Sequence, residues 1–86
     1  MTASYRVLTR RSAEKELRKI SKADIKRITE KIIALSINPR PLGVEKLSGE
    51  DRYRIRQGDW RIVYEIDDAS KVVIVVKIGH RSEVYR

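Results

Sequence analysis

Arg54, Arg56 and Arg61 are the residues whose types and spacing point to chemistry. Arg54 and Arg56 lie two apart, so an extended strand projects both from one face. Gly58-Asp59 fits a two-residue hairpin turn, with the glycine supplying a positive φ. That turn sets Gln57 opposite Trp60 and Arg56 opposite Arg61. Like charges directly opposite each other destabilise a sheet. Three guanidiniums gathered on one face without an obvious countercharge suggest an anion site, because each planar fork binds a phosphate through two hydrogen bonds. Glu65 falls on the same face and could pair with one of them. A single arginine on a strand surface is ordinarily only solvated. Three on one face shift the balance toward phosphate.

The C-terminal segment Gly79-His80-Arg81-Ser82-Glu83-Val84-Tyr85-Arg86 adds the only histidine and a terminal tyrosine beside further arginines. A three-residue turn before the last strand brings positions 77, 79 and 81 to the Arg61 face. A change of one residue in that turn reverses the assignment. Taken alone, His80 reads as a structural hydrogen-bonder at a strand end and Tyr85 as a packing residue.

The elements that must position these groups are visible in the periodicity. Tyr5-Arg6-Val7-Leu8 is short and β-prone. Ala13, Leu17 and Ile20 fall on one helical face, with Glu14 and Glu16 near the positive helix end. Ser21 followed by Asp24 resembles a helix-start cap. Ile25, Ile28, Ile32 and Leu35 recur at spacings of three and four, the strongest helical signal in the chain. Asn38-Pro39 ends that helix. The two helices abut at Ile20 to Lys22 and should form a hairpin. Residues 39–51 read as a loop, with both prolines and two of the four glycines. Three strands follow: Tyr53 to Gln57, Trp60 to Ile66, and Lys71 to Ile78. In the second, Ile62 and Tyr64 alternate with Arg61 and Val63, and the third is β-branched on both faces, as befits a central strand. Asp67-Asp68-Ala69-Ser70 forms the turn between them. The expected fold is α+β: an N-terminal strand, an antiparallel helix hairpin, then a three-stranded antiparallel meander. One sheet results, with Ile55, Ile62 and Tyr64 facing the helices and its other face at least partly open.

Composition narrows the function classes. The 86 residues carry 20 Lys+Arg, 12 Asp+Glu, one His and no Cys, a formal charge of +8. One domain, residues 1–86, is expected at this length. The charge is uneven, with 11 basic and 4 acidic residues in positions 1–43 and 9 and 8 in positions 44–86. A polyanion is the first partner to consider. Lys15, Arg18, Lys19, Lys22, Lys26, Arg27 and Lys31 populate the helix surfaces, either as a solvated face or in contact with a nucleic acid. Absence of cysteine excludes disulfides and thiolate metal sites, and one histidine excludes a His-rich site, so no metal or other cofactor is expected. No apolar run of membrane-spanning length and no secretory leader is seen, so a cytoplasmic protein without a membrane role is expected.

Tyr53-Arg54-Ile55-Arg56, Gly58-Asp59-Trp60-Arg61-Ile62-Val63-Tyr64-Glu65-Ile66 and Ile78-Gly79-His80-Arg81-Ser82-Glu83-Val84-Tyr85 together resemble the signature of the RelE toxins, within the RelE/ParE superfamily of toxin–antitoxin systems. The likeness covers nearly the whole chain. It implies a RelE-like fold and a ribosome-dependent mRNA endonuclease. In that reaction the RNA 2′-hydroxyl attacks its own 3′ phosphate, leaving a cyclic phosphate and a 5′-hydroxyl. The implied site residues are Arg54, Arg56, Arg61, His80, Arg81 and Tyr85. The cations hold the phosphate and help the leaving oxygen, and Tyr85 is the family's candidate base. A phenol has an ordinary pKa near 10, which neighbouring guanidiniums would lower. Relatives carry lysines where this chain has Arg54 and Arg56. Arginine does not release its proton, so that role is lost or moves to His80. The implied partners are a ribosome with mRNA in the decoding site and a cognate acidic RelB-like antitoxin, giving a toxin–antitoxin hetero-oligomer. Two other readings stay open: a ParE-like inhibitor of DNA gyrase, and a degenerate toxin that mainly binds antitoxin and RNA.

Overall fold

The computed structural model describes residues 4–47 and 51–80. In chain order the elements are β1 (Arg6–Thr9), α1 (Arg11–Arg18), α2 (Lys22–Ala34), β2 (Glu45–Lys46), β3 (Arg52–Gln57), β4 (Trp60–Asp67) and β5 (Val72–His80). The strands form one sheet in the order β1-β5-β4-β3-β2. The α+β class with two helices and an antiparallel meander is as expected. The sheet has two features that the sequence pattern did not carry. The segment 39–51, read as loop, contributes the two-residue edge strand β2, antiparallel to β3. The N-terminal strand joins parallel to β5, so the sheet is mixed.

Each helix forms for a local reason. Ser21 caps α2, its hydroxyl accepting from the Asp24 N–H at 3.4 Å. The apolar stripe of α2 then buries Ile28 and Ile32, and Leu35 beyond its end, against the sheet. Helix α1 contributes Ala13, with Ile20 in the short link between the helices. These side chains meet Ile55, Ile62, Tyr64, Val73, Val75 and Ile78 in one core. The helices thus cover one face of the sheet and leave the other for polar residues. After α2 the chain is tied down by the buried Tyr64 hydroxyl, which donates to the Pro39 carbonyl at 2.7 Å. Arg40 then reaches Asp68 with both terminal nitrogens, at 3.2 and 2.8 Å.

The register of β5 decides which of its residues reach the polar face. Asp67 pairs with Val72 across a four-residue connection, and Tyr64 pairs with Val75. Continued without change, that register would set Ile78 opposite Arg61. Instead a bulge intervenes: Val63 pairs with Lys77 and Arg61 with Gly79, leaving Val76 as the extra residue. Ile78 thereby stays in the core, and Lys77 and Gly79 fall on the Arg61 side.

Candidate functional site: an arginine cluster on the helix-free face

The β3–β4 hairpin has the register read from the sequence. Gln57 pairs with Trp60, Arg56 with Arg61 and Arg54 with Val63. Gly58 takes the positive φ of +61° that the turn requires. With Ile55, Ile62 and Tyr64 in the core, alternation puts Arg54, Arg56 and Arg61 together on the opposite face. Positions 77 and 79 join them, though through a four-residue connection plus a bulge rather than a three-residue turn.

The three arginines differ in their surroundings. Arg61 is only 5% exposed, and its Nη1 donates to the Gly58 and Trp60 carbonyls at 3.3 and 3.2 Å. The hairpin's own backbone therefore orients this guanidinium. Arg56, directly across the ladder, is exposed. Arg54 donates from Nε and Nη2 to Glu45 Oε1 at 3.3 and 2.9 Å. Glu45 is the site residue that sequence reasoning missed. It stands two residues after Gly43 in a stretch that reads as loop, and only the β2–β3 pairing brings it opposite Arg54. Its carboxyl is held below the usual range, first by the hydrogen bond from Arg54 and then by the charges of Arg54, Arg56 and Arg61. Glu65, the countercharge considered from the sequence, is engaged elsewhere. It accepts from Arg52 Nε at 2.9 Å and lies 3.8 Å from Arg10.

His80 is not brought into this cluster. It pairs with Trp60, and the two rings meet edge to face with centroids 5.6 Å apart. Trp60 packs against the core and donates from its indole nitrogen to Asp24 of α2 at 3.3 Å. His80 thus belongs to the helix-covered side at the end of the sheet. Arg81 and Tyr85 lie outside the described residues. Among the described residues no group of three His, Asp or Glu side chains could hold a metal, and no helix is long and apolar enough to cross a membrane. A cavity of about 300 Å³ lies between α1 and the end of β5, lined by Ser12, Glu16 and residues 76–79.

Comparison with known proteins decides the family. The family model described as ParE toxin of type II toxin-antitoxin system, parDE, matches residues 7–85. The mRNA interferase toxin RelE of Escherichia coli K12 is 36% identical, over 85% of this chain and 81% of that protein. This chain is a RelE toxin of the RelE/ParE superfamily. The toxin RelE of Mycobacterium tuberculosis is likewise 36% identical, over 73% of this chain and 75% of its own. Among solved structures, the archaeal RelE–RelB complex of Pyrococcus horikoshii superposes with a TM-score of 0.84 at 34% identity, covering 96% of this chain and 99% of that one. The protein is thus a RelE-type toxin of a toxin–antitoxin system, and likeness to a toxin captured with its antitoxin supports an antitoxin partner.

Proposed function

We propose that this RelE toxin is an endoribonuclease that cuts mRNA on the ribosome, in the cytoplasm, and is held inactive by a cognate acidic RelB-like antitoxin. The observation that carries the reading is the Arg56–Arg61 pair, two like charges directly opposite on the face that the helices leave open. Such a pair opposes folding and is relieved by an anion bound between the two forks. The similarity to a protein named as an mRNA interferase points the same way.

In this mechanism the 2′-oxygen of the message attacks the adjacent phosphorus. The 5′-oxygen leaves with a proton, and a cyclic phosphate remains. Negative charge grows on the phosphoryl oxygens in the transition state, and fixed cations stabilise it most when they need no reorganisation. Arg61, held by the turn carbonyls, meets that condition. Arg56 and Arg54 supply the second and third forks. Arg81 and Tyr85 are carried over from the family resemblance, Tyr85 as base. With arginines at 54 and 56 neither of those positions moves a proton. The ribosome orients the message, so free RNA is cut poorly.

Programmed ribosomes carrying a defined mRNA, incubated with the toxin and read by primer extension, test the reading. Cuts within the decoding-site codon are expected. Folded protein that leaves that codon intact would reject it. The matching family model bears the ParE description, so a gyrase supercoiling assay accompanies the first. Loss of supercoiling with intact message would favour the gyrase inhibitor.

A further inference from the structure

Glu45 and Arg54 are partners in the β2–β3 ladder. The Arg54 fork closes on a single carboxylate oxygen, Oε1, from Nε and Nη2. That is also how a guanidinium grips one phosphate oxygen. The same ladder row continues through Val63 to Lys77, and the next row holds Arg56 and Arg61. Among the described residues, the charged groups facing Glu45 are therefore Arg54 and Arg56 from β3 and Arg61 from β4, with Lys77 of β5 further along the row. Lys46, its neighbour on β2, pairs with Tyr53 and alternates to the other face. An anion at the position of Glu45 Oε1 feels the field of the whole cluster.

We propose that Glu45 occupies, in the free toxin, the subsite that takes a backbone phosphate of the RNA, and that the phosphate displaces it from Arg54. The side chain of Glu45 is half exposed while that of Arg54 is 15% exposed. The carboxylate can thus swing into solvent, whereas the guanidinium stays in place. Ion pairs with one exposed partner are weak, so the exchange is easy. Glu45 keeps Arg54 aimed while no RNA is bound, and it competes with any anion that binds there. The proposal rests on the phosphodiester reading of the site and names its resident competitor.

The test is binding of a short RNA bearing 2′-O-methyl groups throughout, which cannot be cleaved through its own 2′-oxygen, to the full chain at low salt. Glu45→Gln is expected to bind about three- to tenfold more tightly, with a salt dependence steeper by about one phosphate contact. Wild-type affinity should rise as pH falls from about 5 toward about 3, because protonation of the Glu45 carboxyl, held below its usual range, frees Arg54, and Glu45→Gln should lack that rise. Equal or weaker binding by a folded Glu45→Gln, or the same pH profile in both proteins, would overturn the proposal. If Glu45→Gln does not fold, Glu45→Asp, whose shorter side chain draws back from Arg54, must show the gain instead, and its absence overturns the proposal equally. Ribosome cleavage measured in parallel separates the two levels. Tighter binding without any wild-type cleavage supports the subsite and retires the nuclease. Wild-type cleavage without the binding gain retires the subsite alone.

Discussion

At the scale of single residues, the arginines on the open face divide by what holds them. Arg61 is buried and oriented by the turn carbonyls, Arg54 is shared with Glu45, and Arg56 stands exposed between them. The transition-state contribution should follow that order of preorganisation. Arg61→Ala is expected to lower ribosome-dependent cleavage by about 10²-fold or more, the scale of losing one oriented donor. Arg61→Lys should recover little, since lysine lacks the planar fork. Single-turnover cleavage rates, with circular dichroism as a check on folding, measure both. His80→Ala should change the rate less than tenfold, a modest effect beside the ~10²–10⁴-fold of general acid–base catalysis, because its ring meets Trp60 on the other side of the sheet. A loss as large as that of Arg61→Ala would return His80 to the chemistry. The pairing of Arg56 with Arg61 was legible in the sequence because a two-residue turn admits one register. Glu45 was not, because its partner is set by an edge strand too short to leave a pattern.

At the scale of elements, the two helices and the meander could be read from periodicity because each buries one face against the same core. The parallel seat of β1 beside β5 could not, since it depends on a contact far along the chain. The bulge at Val76 is the more consequential case. Inward positions are odd before it (Val73, Val75) and even after it (Ile78), but residues 72–76 are all apolar, so nothing ahead of Lys77 marks where the slip falls. Positions 77 and 79 reached the Arg61 face by two changes of register that compensate: one more residue in the turn and one in the strand. Deleting Val76 should close the bulge while Val63 still faces Lys77 and Ile62 still faces Ile78, so Ile78 stays in the core and Lys77 on the open face. Only the packing of the buried Val76 side chain is lost, so a cooperative thermal melt with a somewhat lower midpoint is expected. A deletion that abolishes the cooperative transition would contradict the assigned register. Ser21→Ala is a milder perturbation. Its capping bond is long at 3.4 Å, so a loss of only about 0.5–1 kcal/mol in urea unfolding is expected.

At the scale of the whole molecule, charge organises both stability and partners. Asp68 ties the loop after α2 to the β4–β5 connection, accepting from Arg40 and from the Tyr5 hydroxyl at 2.7 Å. The bond from Arg40 is the main reason that its carboxyl falls from 3.8 to about 2. A carboxyl lowered by folding stabilises the protein above its unfolded pKa, and that contribution is lost as the pH drops through the folded value. Chemical unfolding followed between about pH 5 and 2 should therefore show stability declining mostly below about 4, with a shallower decline for Asp68→Asn. Equal slopes would remove Asp68 from the account. The formal charge of +8 serves attraction to an acidic antitoxin and to RNA alike, so charge alone does not choose between them; the arginine-bearing face does. The most direct measurement compares wild type with the double variant Arg56→Ala/Arg61→Ala on programmed ribosomes, mapping the 5′ ends of the message. The account predicts cuts at the decoding codon from the wild type and none above background from the folded double variant. Undiminished cutting by that variant would contradict it.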